Sequence, residues 1–277
     1  MMINEPFIHD HHPQLLRMNN WEKNDKQLVA GFTTRKGGVS QAECASFNLG
    51  IHVNDELTHV VRNRRLLAYM VNFPTETWIC AEQIHDNRIV KVTAEQLGAG
   101  VFNFNEGILQ TDGLYTNEVN ILLALVYADC VPLYFYAKNH NLIGVAHAGW
   151  KGTIKDIAGE MVRKWVKDEG VCVDEILITI GPSIGSCCYV VDDFVINAVK
   201  NVLPDHSNHL YTQVTTGQYS LDLKQINKLL LIKAGIPAGN ITTSSYCTSC
   251  EKELFFSHRR DKGKTGRMLS FIGLKED

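Results

Sequence analysis

The chain has 277 residues, of which 45% are hydrophobic and 21% are charged, a composition that can bury a sizeable core and lacks the polar bias of disordered proteins. Its net charge of −3 provides no basic field, so we expect no nucleic-acid partner. The longest apolar tract, residues 121–137, is interrupted by Asp129 and Pro132. It is shorter than the roughly 20 residues of a membrane helix, and we expect no membrane association.

The amino terminus reads Met-Met-Ile-Asn-Glu-Pro and has neither the cationic segment nor the apolar core of a secretory signal. We therefore expect a cytoplasmic protein whose eight cysteines are reduced thiols and not a disulfide framework. No linker or internal repeat divides the chain. This predicts one domain over residues 28–277, preceded by a partly mobile extension over residues 1–27. No obvious interface helix indicates self-association, and we expect a monomer.

The predicted elements mix short apolar runs with amphipathic stretches. In chain order they are a strand at 28–34, a helix at 55–72, strands at 77–83, 88–93, 121–127, 131–137 and 142–147, a helix at 153–169, a strand at 175–180, helices at 192–201 and 221–234, and strands at 253–258 and 267–273. Because strands and helices do not alternate strictly, the order indicates mixed α/β layers and not a doubly wound sheet.

Reactive side chains follow three of the predicted strands. Cys130 comes after the apolar run 121–128, His147 follows the run 142–146, and His85 closes a strand that ends in Glu-Gln-Ile-His. If these strand ends converge, two imidazoles and a thiolate form a set of zinc ligands with an open fourth position, as in catalytic zinc sites. The separations along the chain match no local metal motif, so buried core histidines remain the alternative.

Four further cysteines occur in two pairs. Cys187 and Cys188 follow the turn-rich segment Gly-Pro-Ser-Ile-Gly, and Cys247 and Cys250 form a Cys-x-x-Cys pair. The second pair is compatible with half of a zinc ribbon, with a redox pair or with plain loop thiols. A second Cys-x-x-Cys that would complete a ribbon is missing, and no thioredoxin-like context surrounds this one.

The segment Gly-Trp-Lys-Gly at residues 149–152 connects a predicted strand to a predicted helix. Its spacing does not match a dinucleotide-binding loop, and a bulky tryptophan occupies the position that must approach a pyrophosphate, so we exclude a Rossmann site. Amides at this helix start can instead hold an anion beside Lys151. A plain strand-to-helix turn is the alternative interpretation.

An ordered set of short motifs extends over nearly the whole chain, from about residue 28 to 273. They are Thr-Thr-Arg-Lys-Gly-Gly-Val-Ser (33–40), Phe-Asn-Leu-Gly (47–50), Gln-Ile-His (83–85), Thr-Asp-Gly (111–113), Ala-Asp-Cys-Val-Pro (128–132), His-Ala-Gly-Trp-Lys-Gly (147–152), Gly-Pro-Ser-Ile-Gly (181–185), Cys-Cys-Tyr (187–189) and Phe-Ser-His-Arg-Arg-Asp (256–261) with Gly266-Arg267. With this set the chain closely resembles the laccase-domain or polyphenol oxidase family of YfiH type. Members of that family are also described as purine nucleoside phosphorylases with adenosine deaminase and methylthioadenosine phosphorylase activities.

The resemblance implies an α/β fold, a mixed-sheet four-layer α/β/β/α sandwich in a single domain. It also implies that the family's metal-binding and catalytic triad falls on His85, Cys130 and His147. His258 departs from the family pattern, which more often has tyrosine there, so that position is a poor candidate for an essential role.

The leading hypothesis is a zinc-dependent enzyme that acts on small-molecule nucleosides and phosphate. It would cleave adenosine, inosine, guanosine and methylthioadenosine by phosphorolysis and deaminate adenosine through a metal-activated water. Asp112 and Asp129 are the carboxylates expected to act as general acid and base or to orient the histidines, although turn capping and strand-end solvation explain them equally well. The expected substrate- and phosphate-binding residues are Arg35, Asn48, Arg62, Lys151 and Arg260.

Three other functions fit the same residues. The family's older name implies copper-dependent phenol oxidation, and Cu²⁺ can occupy a site of two nitrogens and one sulfur. Cys130 and His147 can also act without metal, as the nucleophile and base of an amidase or hydrolase. In a non-enzymatic binding module, one of the four paired cysteines would instead close the triad into a structural site.

Overall fold

The computed structural model describes residues 5–204 and 210–276. The strands are β1 (Phe7–His9), β2 (Leu15–Met18), β3 (Leu28–Thr33), β4 (Trp78–Cys80), β5 (Ile89–Lys91), β6 (Gly113–Thr116), β7 (Leu122–Tyr127), β8 (Val131–Ala137), β9 (Leu142–Ala148), β10 (Leu177–Ile180), β11 (Val190–Asp192), β12 (Tyr211–Thr215), β13 (Gln218–Leu221), β14 (Ile241–Thr243) and β15 (Met268–Leu274). The helices are α1 (Asn19–Asn24), α2 (Leu57–Val71), α3 (Trp150–Ile154), α4 (Ile157–Asp168), α5 (Asp193–Val202) and α6 (Leu223–Lys233).

Two six-stranded mixed sheets form the centre of the molecule. The first has the order β1-β2-β3-β15-β7-β4 and the second has the order β14-β10-β8-β9-β6-β5. Most neighbouring strands are antiparallel, and the parallel pairs β4–β7, β5–β6 and β10–β14 lie at the sheet edges. A small third sheet contains β11, β13 and β12.

Alternating side chains on each central strand enter two different cores. Leu123, Leu125 and Tyr127 of β7 face the second sheet, whereas Leu122 and Ala124 pack against α2 on the outer face of the first sheet. Helices α4 and α6 cover the outer face of the second sheet in the same way. The predicted four-layer α/β/β/α sandwich is therefore confirmed. Burial on both faces also explains why β7, β8 and β9 are continuous apolar runs.

The chain passes from the first sheet to the second between β7 and β8. Residues 128–130 make this crossing, so that the end of β7 and the beginning of β8 meet where the two sheets face each other. Asp129 has a positive φ of 89°, which is uncommon for residues other than glycine, although aspartate and asparagine adopt it more often than most. Within residues 5–204 and 210–276, no helix is both long and apolar enough to span a bilayer.

Two predicted elements differ from the structure. The helix predicted at 153–169 is wrong at its start, because α3 and α4 are separated by Asp156, which has φ of 58° and accepts a hydrogen bond from the Gly159 amide as the cap of α4. The strand predicted at 253–258 is wrong as well. These residues form turns, and the Arg260 guanidinium donates to the Phe255 carbonyl oxygen at 3.0 Å.

Part of the predicted N-terminal extension belongs to the first sheet. Strand β2 pairs antiparallel with β3, and β1 pairs with β2 at the edge of the sheet. Both strands are short and carry little periodic signal, which explains why the sequence pattern did not predict them.

Candidate active site and metal centre

His85, Cys130 and His147 converge where the two sheets meet. Cys130 directly precedes β8, His147 lies in β9 beside Pro132 of β8, and His85 lies in the loop that follows β4. Their ligand atoms all lie within 4.8 Å of one another, and the imidazole rings of His85 and His147 stand nearly perpendicular with centroids 4.7 Å apart. His147 is buried, Cys130 is half-buried and His85 is exposed, so the set opens toward solvent on one side.

Asp112 fixes the orientation of His147. Its Oδ1 lies 2.8 Å from Nδ1 of His147, and an ionised carboxylate only accepts, so the imidazole donates from Nδ1. This leaves Nε2 of His147 free to face the other members of the triad. The backbone adds a second connection, since the His147 amide donates to the Asp112 carbonyl oxygen at 2.7 Å.

The same carboxylate organises the loop that carries His85. The amides of Ile84, His85 and Asp86 donate to Asp112 at 3.1, 3.0 and 2.8 Å. His85 itself has φ of 64°, a left-handed conformation that costs free energy in a residue other than glycine. Three converging hydrogen bonds to a fully buried carboxylate can offset that cost, so Asp112 connects both histidines of the triad.

Charges within this group shift one another's pKa values. Burial opposes ionisation of the Cys130 thiol, but the neighbouring His147 and His85 lower its pKa to about 6. Burial likewise opposes protonation of His147, but Cys130 and Asp112 raise its pKa to about 10. Burial also disfavours the Asp112 carboxylate, yet His147 and the loop amides lower its pKa. Near pH 7 and without a bound metal, these shifts favour a thiolate on Cys130 beside an imidazolium on His147.

Gly149 allows the triad to assemble. A Cβ at this position would lie 3.0 Å from Sγ of Cys130 and 3.0 Å from Cδ2 of His85. Both contacts are tighter than most Cβ contacts, so glycine here is favoured by space and not by its backbone conformation, whose φ is −66°.

The triad forms part of the wall of a cavity of about 480 Å³, a volume in the range of small-molecule sites. Besides the triad, the wall contains aromatic, cationic, polar and aliphatic side chains, namely His52, Gln83, Phe104, Val126, Ala128, Asp129, Trp150, Lys151, Ile184, Tyr189, His258, Arg259 and Arg267.

Comparison with known families gives a match over residues 29–275 to the model described as "Multi-copper polyphenol oxidoreductase laccase". The chain belongs to this laccase family. The resemblance inferred from the ordered motifs is therefore confirmed.

Relatives of this laccase-family chain extend over nearly its full length. A protein named purine nucleoside phosphorylase YlmD from Bacillus subtilis is 48% identical over 95% of this chain and 96% of its own. A protein of the same name from Geobacillus stearothermophilus is 51% identical over 90% and 91%. The crystal structure of YlmD from the latter organism superposes with a TM-score of 0.95 at 47% identity, covering 98% of this chain and all of that one. YfiH from Bacillus licheniformis, titled a hypothetical protein, superposes with a TM-score of 0.94 at the same identity, covering 98% and 99%.

The cations that line the cavity of this laccase-family protein differ from those expected. Lys151 is present as expected, and its Nζ lies 5.8 Å from the centroid of the Trp150 ring. Arg259 and Arg267 were not expected, although both belong to motifs that the sequence displays. The Arg259 guanidinium stacks on the ring of Tyr189 at 4.9 Å. His258, the departure from the family pattern, also lies on the cavity wall and is exposed.

The structure does not bring Arg35, Arg260 or Arg62 into this cavity. Arg35 and Arg260 line a separate, open depression of about 620 Å³. Arg35 donates to the Ala45 carbonyl oxygen and stacks on Phe256, while Arg260 donates to several backbone carbonyl oxygens. Arg62 is exposed on α2. All three residues lie in or near the motif segments of the sequence, but their guanidinium groups do not line this cavity.

Asn48 supports the cavity wall indirectly, through a hydrogen bond to the backbone of Arg267. Its side chain is fully buried, and its Oδ1 accepts hydrogen bonds from the amides of Gly50 at 3.0 Å and Arg267 at 2.8 Å. Asn48 therefore positions the backbone of a residue on the cavity wall and does not face the cavity itself.

Asp129 is similarly occupied by protein contacts. Its carboxylate accepts hydrogen bonds from Oγ1 of Thr248 at 2.6 Å, Oγ of Ser257 at 3.0 Å and the amide of Arg259 at 2.7 Å. These contacts favour a positioning role over proton transfer, since the carboxylate attaches the loop carrying Arg259 to the turn carrying Cys130. The contacts of Asp112 favour the same kind of role.

The four paired cysteines form a cluster of their own. Cys187, Cys188, Cys247 and Cys250 bring their Sγ atoms within 4.8 Å of one another, and the triad forms a different group. The fourth ligand that the binding-module alternative required is therefore absent from the triad group within the described part of the chain.

Proposed function

We propose that this protein is a zinc-dependent purine nucleoside phosphorylase that also deaminates adenosine. The observation that carries the proposal is the placement of two imidazoles and one thiolate in the wall of a cavity that also presents cationic and aromatic side chains. The names of the Bacillus subtilis and Geobacillus stearothermophilus relatives support the reaction class. Adenosine, inosine, guanosine and methylthioadenosine are the proposed nucleosides.

The triad fits a zinc ion by the chemistry of its donors. His85, Cys130 and His147 would hold the metal through two imidazole nitrogens and one thiolate, which leaves a fourth position for water or substrate. The hydrogen bond from Nδ1 of His147 to Asp112 is the support that metal-bound histidines usually receive. A zinc ion bound there would supply Lewis acidity and lower the pKa of a coordinated water.

The cationic side chains of the cavity suit an inorganic phosphate. Phosphorolysis requires a phosphate oxygen to reach C1′ of the ribose, so the dianion must be held beside the sugar while its charge is balanced. Arg259, Arg267 and Lys151 lie on the wall. One guanidinium group can donate two parallel hydrogen bonds to two oxygens of the same phosphate. Burial lowers the pKa of Arg267, while Cys130 favours its charged form.

The aromatic side chains suit the purine base. Phe104, Trp150 and Tyr189 line the same cavity, and the imidazole of His52 lies 5.4 Å from the Phe104 ring. Burial, together with Arg267 and Arg64, lowers the pKa of His52 to about 4, so this imidazole is neutral near pH 7 and can stack on a base or bond to it without repelling the arginines.

A product assay tests the proposal. Zinc-loaded wild type, Cys130→Ala and a control variant, Cys172→Ala, are incubated with adenosine or inosine, with and without phosphate, and ribose-1-phosphate, free base and inosine are quantified. We expect phosphate-dependent ribose-1-phosphate from wild type and Cys172→Ala but not from Cys130→Ala, and phosphate-independent inosine from adenosine. Equal turnover by wild type and Cys130→Ala would refute the proposal.

A second candidate function is metal-free hydrolysis of an amide. The contact between Cys130 and His147 and the hydrogen bond from His147 to Asp112 reproduce the order nucleophile, base and orienting carboxylate. The two functions respond oppositely to metal. Removal of the metal with a chelator should abolish phosphorolysis, whereas amide hydrolysis by the Cys–His pair should persist or increase.

Copper-dependent phenol oxidation is the remaining candidate, favoured by the description of the family model. The triad donors also suit Cu²⁺. Oxygen uptake coupled to phenol oxidation by copper-loaded protein, lost in Cys130→Ala, would favour this function over the nucleoside reactions.

A further inference from the structure

Four thiols from two distant segments meet at one point near the cavity. Cys187 and Cys188 follow β10, and Cys247 and Cys250 follow β14. We infer that these four cysteines form a second metal site, a closed tetrathiolate centre for Zn²⁺ that braces the wall of the cavity. This inference is independent of the reaction proposed for the triad.

The sulfur separations match tetrahedral coordination. Sγ of Cys250 lies 3.5 Å from Sγ of Cys187 and 3.4 Å from Sγ of Cys188, and all four sulfurs lie within 4.8 Å of one another. A zinc ion with bonds of about 2.3 Å to sulfur holds neighbouring sulfurs roughly 3.8 Å apart. A disulfide needs about 2.05 Å, and all four cysteines are free thiols.

The backbone holds the two segments in register. Ser183 and Cys247 form a parallel bridge, and the Thr248 amide donates to the Ser183 carbonyl oxygen at 3.0 Å. The Gly185 amide donates to Sγ of Cys247 at 3.2 Å. Such an amide-to-sulfur bond stabilises a thiolate. Glycine at position 185 favours the close approach of the two segments, because a Cβ there would lie 3.3 Å from Cβ of Cys247.

The donor set selects the metal. Four thiolates favour soft or borderline ions such as Zn²⁺ and disfavour Mg²⁺ and Ca²⁺, which prefer oxygen. Four protein ligands complete a tetrahedron and leave no position for substrate, which is the arrangement of structural zinc sites.

The buried ammonium of Lys224, bound to the carbonyl oxygens of Ser244 and Tyr246 at 2.9 Å, adds positive charge next to the segment that carries Cys247.

The cluster is connected to the candidate active site through its own segments. Ile184 and Tyr189, on either side of Cys187 and Cys188, line the cavity. Thr248, next to Cys247, donates to the Asp129 carboxylate. A metal that fixes both segments would therefore hold one wall of the cavity in place without touching the substrate.

Metal counting tests the inference. The protein is stripped under reducing conditions, reloaded with Zn²⁺ alone, freed of excess metal and analysed by atomic emission. In a Cys130→Ala background, which removes the triad thiolate, we expect Cys250→Ser to lower the bound zinc by one equivalent and Cys172→Ser, a matched exposed cysteine, to leave it unchanged. Equal zinc content in all three proteins would overturn the inference.

Thiol alkylation of the wild-type chain gives a test that does not depend on the folding of a variant. Iodoacetamide modification is followed by peptide mass spectrometry with and without Zn²⁺. We expect zinc to slow modification of Cys187, Cys188 and Cys250 at least tenfold and to leave Cys172 unaffected. Modification at the same rate in both conditions, or recovery of these cysteines as a disulfide from protein purified with zinc, would overturn the inference.

Discussion

His147 donates a hydrogen bond of 2.8 Å from Nδ1 to the buried carboxylate of Asp112. The same carboxylate accepts three amides from the loop that carries His85. One anion thus sets the ring orientation of one proposed metal ligand and the backbone conformation of another. Orientation of this kind typically changes metal affinity by a factor of about 10 to 100.

We therefore expect Asp112→Asn to weaken Zn²⁺ binding at the triad by about 10- to 100-fold. An asparagine has one acceptor oxygen in place of two and presents an NH₂ group toward amides that also donate, so the His85 loop loses part of its support. Competition titration with a chromophoric chelator measures the affinity. Asp86→Asn is the control, because that carboxylate pairs with Lys155 on the surface. Equal affinities for both variants would contradict the role given to Asp112.

In metal-stripped protein, the reactivity of Cys130 should rise as the pH rises through about 6. The pKa of this thiol is lowered to about 6 by the charge and hydrogen bonds of the neighbouring histidines, which outweigh its burial, and only the thiolate reacts with iodoacetamide. The rate should therefore be low below this pH and level off above it. His147→Gln removes the main stabilising charge and should move the midpoint upward, and an unchanged midpoint would exclude the ion pair.

Much of the fold could be predicted because its central strands are buried on both faces. The apolar run of β7 stops shortly before Cys130, and the apolar run at the start of β9 stops at His147, so the ends of these two runs mark reactive residues. The sequence predicted that Asp112 acts as general acid and base, orients the histidines or caps a turn, and could not choose among these roles. Its contact with His147 depends on the pairing of β6 with β9, which joins residues that are distant in the sequence.

Arg259 and Arg260 are adjacent in the sequence but line different depressions of the surface. Arg259 and Arg260 belong to one motif, yet only Arg259 lines the cavity. The turn is fixed by Asp129, which accepts the Arg259 amide, while the Arg260 guanidinium is held by carbonyl oxygens on the other side. Neither contact leaves a periodic signal in the sequence.

Gly149→Ala should impair the triad while preserving the fold. The added Cβ would lie 3.0 Å from atoms of both Cys130 and His85, so these side chains must move, but the backbone angle at this position suits alanine. We expect kcat/KM for phosphorolysis to fall at least about tenfold, since small misplacement of catalytic groups is costly. Gly239→Ala is the control, because nothing lies within 4 Å of its Cβ. Thermal unfolding should show both variants close to wild type, and full activity of Gly149→Ala would contradict the steric argument.

Arg267→Ala should raise the KM for phosphate by about 10- to 100-fold, because a hydrogen bond to a charged group contributes about 1.5–3 kcal/mol. Arg267 lines the cavity and is held there by the Asn48 side chain and the carbonyl oxygens of Thr265 and Gly266. Arg62→Ala is the matched control, since this guanidinium is exposed on α2 outside the cavity. Initial rates at fixed inosine and varied phosphate measure the effect. If the KM for phosphate rises for Arg62→Ala and not for Arg267→Ala, phosphate binds near Arg62, as the sequence predicted, and not at the cavity wall.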